Sequence, residues 1–186
     1  MTSSLNSILC ELNNQIISEA LAEFHSINRY ELTEVAVAAT QDGATRRFPA
    51  VISYLGEVTP VMIDDRYEIL IYHKCDGINT QTVKGYGRRS DNMTETANMA
   101  LLLFAFRRKV RKPIDWFEAS IKKVMPRSID QTGVVSYSSS FDTLGLMTRE
   151  WIGITMNYPD VSGMEIKYTL KNTGARCFQP CLPQLV

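Results

Sequence analysis

Met99 to Phe106 reads MALLLFAF, eight consecutive apolar residues without a polar face. A run with no polar side has to be covered all round, which places it in a core. At about two helical turns it is far too short to span a bilayer. Its flanks are basic. Arg88 and Arg89 precede it, and Arg107, Arg108, Lys109, Arg111 and Lys112 follow. The spacing predicts a buried helix from about Met93 to Val110. Asn92 and Glu95 would form its capping box, cations would fill its last turn, and Pro113 would stop it.

A second helix is expected over residues 4–24, where Leu5, Ile8, Leu9, Leu12, Ile16, Ala20 and Phe24 make one apolar stripe. Ser3 or Ser4 would cap it, and Glu11, Glu19 and Glu23 would form an acidic outer face. A third helix is expected from Trp116 to Val124, capped by Asp115 and ended by Pro126.

Strand patterns surround these helices. Expected strands are 33–39, 48–55 with Pro49 near its start, 61–63, and 67–73. Later ones are 133–137 and a hairpin of 151–158 with 164–170, turning at PDVSG. Asp-Gly at 42–43 and Asp64-Asp65 mark turns. Residues 75–92 read as a long loop or an extended hairpin.

The reading is a single α+β domain over 1–171. A mostly antiparallel sheet carries an N-terminal helix and two central helices packed on it, and 172–186 form an extended tail. The predicted core includes Leu9, Leu12, Ile16, Val51, Ile69, Ile71, Leu102, Phe104, Trp116, Ile154 and Ile166.

Charge is segregated. The 186 residues carry no net charge. Yet residues 84–127 hold eleven basic and four acidic residues, net +7, while residues 1–83 are net −6 and residues 128–186 net −1. A nucleic-acid module using 84–127 would need phosphate-neutralising residues on one face, and base-stacking aromatics are sparse from 84 to 112. Self-association suits a neutral, polarised chain better, an acidic region of one copy meeting the basic region of the next. The contact residues expected on this basis are Lys84, Arg88, Arg89, Arg107, Arg108, Arg111 and Lys112, facing Glu19, Glu23, Asp64 and Asp65.

Signals for chemistry are weak. The only histidines are His25 and His73, and the cysteines are Cys10, Cys75, Cys177 and Cys181. Their spacing matches no zinc signature. His73 and Cys75, two apart on a strand, would share a face, which keeps a cysteine-dependent hydrolase as a remote alternative. GYGRR at 85–89 matches no phosphate-binding loop. No catalytic residue, metal ligand or cofactor is assigned. Four sparse cysteines, and an N-terminus without a basic region ahead of an apolar one, predict a reducing, cytosolic site of synthesis.

The order of elements resembles the tail-terminator and head-to-tail connector ring proteins of tailed bacteriophages. The parts that carry the resemblance are the helix Leu5–Phe24, RFPAVISYLGE (47–57), RYEILIYHK (66–74), the helices over 93–124 and the hairpin over 151–170. The resemblance implies a non-catalytic subunit of a homo-oligomeric ring at the phage neck or tail, joining head and tail around the DNA channel. Portal, connector or tail-tube proteins would be its neighbours, with no membrane partner. The 75–92 segment would reach an adjacent ring or subunit.

Overall fold

The computed structural model describes residues 5–39, 43–53, 55–83, 92–125, 132–154, 158 and 160–172. They form one seven-stranded sheet in the order β3-β2-β1-β4-β5-β7-β6. The strands are β1 (Ile27–Ala39), β2 (Thr45–Ile52), β3 (Val58–Pro60), β4 (Ile69–Val83), β5 (Asn92–Phe106), β6 (Thr132–Ser140) and β7 (Val161–Asn172). Neighbours are antiparallel except β1 and β4, which run parallel. The helices are α1 (Leu5–Gln15), continued by a π-helical turn Ile16–Ala20, then α2 (Arg107–Val110), α3 (Ile114–Val124) and α4 (Thr143–Glu150). The fold is α+β, and among the described residues no helix is long and apolar enough to cross a membrane.

The apolar run at 99–106 is a strand, which corrects the helix expected there. It lies in β5, paired on both sides by β4 and β7. Its side chains alternate between two cores. Ala97, Met99, Leu101, Leu103 and Ala105 enter the core beneath α1 and α3. Ala100, Leu102, Phe104 and Phe106 enter the core on the other face, beneath α4 and Trp151. A central strand buried on both faces shows no polar alternation, so periodicity alone cannot separate it from a buried helix. Asn92 and Glu95 therefore lie within β5 rather than at a helix start, and the helix that follows is only α2, closed by Arg111 in the left-handed region at φ 51°.

The second correction is near the C-terminus. No strand covers 151–154, and residues 155–157 and 159 lie outside the described residues. The chain before them forms α4, which the sequence reading missed. Asp142 caps it, its Oδ1 accepting from the Gly145 N–H at 3.0 Å. Trp151 ends it, buried with its indole N–H donating to the Val61 carbonyl at 2.9 Å. Consequently β7 pairs with β5 and β6 rather than with a hairpin partner.

Smaller differences follow from tertiary context. The first helical segment ends at Ala20, and Phe24 instead stacks on Phe117 at 5.5 Å. β1 starts at Ile27, β2 spans 45–52 with Pro49 inside it, and β3 sits at 58–60 rather than 61–63. Pro49 still contributes its carbonyl, which accepts from the Val61 N–H at 2.8 Å. Pro113, not Asp115, occupies the cap of α3. The 75–92 segment is the hairpin alternative as far as Val83 and from Asn92, whose backbones pair. Ser3, Ser4, Pro126 and residues 173–186 lie outside the described residues, and Asn172 belongs to β7. Of the predicted core, Leu9, Leu12, Ile16, Ile69, Ile71, Leu102, Phe104 and Ile166 are buried, while Val51, Trp116 and Ile154 pack at its margin.

Candidate interaction surfaces

The sheet separates what the sequence places close together. Val83 and Asn92 face each other at one end of the β4–β5 pair, whereas Ala105 faces Ile69 at the other. The two ends of β5, a strand of fifteen residues, are separated by about 45 Å of extended chain. Lys84, Arg88 and Arg89 lie outside the described residues, in the segment bounded by Val83 and Asn92. Arg107, Arg108, Arg111 and Lys112 follow the opposite end of the strand.

At that opposite end Arg107, Arg108, Lys109 and Lys112 have partners within the chain. Arg108 Nε lies 2.8 Å from Asp160, and Lys112 Nζ lies 3.2 Å from Glu23. Lys112 also stands 4.7 Å from the centre of the Trp116 ring, a cation–π contact. Arg107 donates to the Ser162 hydroxyl and Lys109 to the Asp65 carbonyl. Asp64 is clasped by Arg66, whose hydrogen bonds hold its carboxyl below the ordinary range. Glu19 and Glu23 line a groove of about 410 Å³ between the π-helical turn and α3, together with Trp116 and Lys123. Of the expected acid–base contacts, the structure brings Glu23 and Lys112 together, inside one molecule.

The interior holds two polar networks. Beneath α1, buried His73 bridges Asn13 and Tyr168, with Nε2 2.9 Å from Asn13 Oδ1 and Nδ1 2.7 Å from the Tyr168 hydroxyl. Asn13 Nδ2 donates to the Tyr30 carbonyl at 3.2 Å. That leaves Oδ1 as the acceptor, so His73 Nε2 carries the proton and Nδ1 accepts from Tyr168. Burial lowers the His73 pKa to about 3. On the other face, Lys74 meets buried Glu150 at 2.9 Å, and Arg149 bridges Glu150 at 3.0 Å to Glu165 at 2.7 Å.

These networks bear on catalysis. Both ring nitrogens of His73 are engaged by Asn13 and Tyr168, leaving neither for a thiol. Desolvation raises the Cys75 pKa, the opposite of nucleophile activation. No group of three or more metal-ligating side chains is present among the described residues, while Cys177 and Cys181 lie outside them.

No protein-family model and no curated protein matches the chain.

The sequence reading missed a set of exposed apolar side chains. Val35 and Val37 on β1 are 57 % and 63 % exposed. Ile52, Leu55 and Val58 are exposed where β2 turns into β3, and Val135, Phe141 and Leu144 on β6 and the start of α4. β3 and β6 are the two outer strands of the sheet. One signal was available. In EVAVAA, Val35 and Val37 alternate with alanines rather than polar residues, so neither face is marked for solvent.

Proposed function

We propose that this chain is a structural subunit that self-assembles into a homo-oligomeric ring at the neck or tail of a phage particle, joining head and tail around the DNA channel. The observation that carries self-assembly is the placement of exposed apolar side chains at both outer edges of one sheet, Leu55 and Val58 at the β3 edge and Val135 on β6 at the other. Apolar patches at opposite edges suit a head-to-tail contact, in which each copy offers a different surface to each neighbour. β6 adds to this. It is a nine-residue outer strand, TGVVSYSSS, with none of the charges or prolines that usually guard an edge. The placement in a phage particle, with portal, connector or tail-tube proteins as neighbours, rests on the part of the resemblance that the fold keeps, namely α1, β2, β4 and α3, since residues 92–106 are a strand and the 151–170 hairpin is not formed.

Sedimentation velocity of the purified chain at micromolar concentration tests the reading. A defined multimer without DNA is expected at physiological ionic strength. A monomer that retards a DNA fragment would instead favour a nucleic-acid-binding module.

A further inference from the structure

We infer that the arm formed by the outer halves of β1 and β2 docks, through Val35, Val37 and Arg47, into an acidic groove beside α1 of a second copy. This inference rests on the self-assembly reading and names its contact surface.

The arm is defined by where pairing stops. β1 pairs with β4 only as far as Thr33 and Lys74, and residues 34–39 pair with β2 alone. On its other side β2 is held to the body, by β3 at 50–52 and by the Arg47 N–H donating to the Ile152 carbonyl at 3.0 Å, so among the described residues the open edge of the arm is that of β1. The register sets Val37 opposite Arg47 and Val35 opposite Pro49. Residues directly opposite across a ladder share a face, so two exposed valines sit beside one cation. Arg47 has no acidic partner among the described residues, while Arg46 lies on the other face opposite Ala38.

The receiving surface is a groove of about 530 Å³ lined by Asn6, Ser7, Cys10, Glu11, Asn14 and Glu31. Arg29 is tied to Asn14 at 2.6 Å. Glu11 and Glu31 have no cationic partner among the described residues. The groove therefore offers two carboxylates to a ligand that brings a guanidinium. Glu31 and Val37 belong to the same extended strand, so an arm cannot bend back onto its own groove. A neighbouring copy can supply it. The contact joins unlike surfaces and leaves an arm and a groove free at the two ends of a pair, which propagates assembly toward a ring.

The test uses full-length chains and sedimentation velocity, with circular dichroism to confirm the fold. Arg47→Glu is expected to weaken self-association about tenfold, and so is the Glu11→Arg/Glu31→Arg pair. Mixing the two variants restores attraction at every arm–groove contact and should recover assembly to the wild-type level. Val37→Ser provides an uncharged check and should weaken it as well. If the wild type assembles and these variants assemble equally well, the docking is overturned while self-assembly stands. Loss in both charge variants without recovery on mixing also overturns it. A monomeric wild type overturns both readings.

Discussion

The Tyr168 hydroxyl donates to His73 Nδ1 at 2.7 Å, joining β7 to β4 in the core beneath α1. With Asn13 on the other ring nitrogen, the imidazole is fully hydrogen-bonded and neutral. The same network ties α1 to β1 through the Tyr30 carbonyl. It is therefore a clasp between one helix and three strands.

Acid should loosen that clasp. The folded pKa of His73, about 3, lies below the ordinary histidine value of 6.5. Between those values the unfolded chain binds a proton that the folded chain does not. This contribution to stability is complete above pH 6.5 and falls as pH drops toward 3, by up to about 1.4 kcal/mol per pH unit. Urea denaturation of wild type and His73→Gln at pH 7 and pH 4.5 should show the variant's penalty shrinking in acid. An equal penalty at both pH values would contradict the assignment.

Removing the hydroxyl should be felt without acid. Tyr168→Phe leaves His73 Nδ1 buried without a donor, at a cost of about 1–3 kcal/mol in chemical denaturation at pH 7. A change below a few tenths of a kcal/mol would mean another group satisfies that nitrogen.

Glu150→Ala strands Lys74 beside a closed core, while Arg149 keeps Glu165. Breaking a buried ion pair by removing one partner costs about 3–5 kcal/mol. The lower end is expected here, because the Lys74 side chain keeps 20 % exposure. A Lys74→Met/Glu150→Leu double variant should recover part of that loss, as measured by a double-mutant cycle in urea.

Arg108→Ala should leave stability within about 0.5 kcal/mol of wild type, since the Arg108 side chain is 81 % exposed and water screens its pair with Asp160. Lys112→Ala should cost no more than about 1 kcal/mol and should alter Trp116 fluorescence through loss of the cation above the ring. Thermal melts and emission spectra check both.

Gly163 is held small by packing. A Cβ there would meet the Phe104 ring at 2.8 Å. Gly163→Ala should therefore cost about 1–3 kcal/mol through overpacking. A neutral outcome in thermal melts would show that Phe104 can move aside.

Several elements were legible because their pattern is local. Leu5, Ile8, Leu9 and Leu12 mark one helical face, and all four are buried. Met164, Ile166, Tyr168 and Leu170 mark one strand face, and they enter one core together. The β5 error has the opposite origin. Leu101 and Leu102 both looked buried, and both are, but in different cores. α4 was hidden because Thr143–Glu150 is short, polar and glycine-containing, and its amphipathic face acquires meaning only against Trp151 and the sheet. The basic segment was legible as composition but not as a surface, because Arg108 and Lys112 are drawn onto Asp160 and Glu23 of the same chain.

What the sequence alone determined was the α+β class, the apolar faces of α1 and β7, and the segregation of charge. These depend on side-chain order over a few residues. Only the tertiary structure decided that residues 99–106 lie in an interior strand, that Lys112 meets Glu23 in the same molecule, and that Val35 and Val37 face outward. Each of those outcomes depends on which distant segment lies alongside, and a periodicity of two or of 3.6 residues carries no information about the neighbour it will meet.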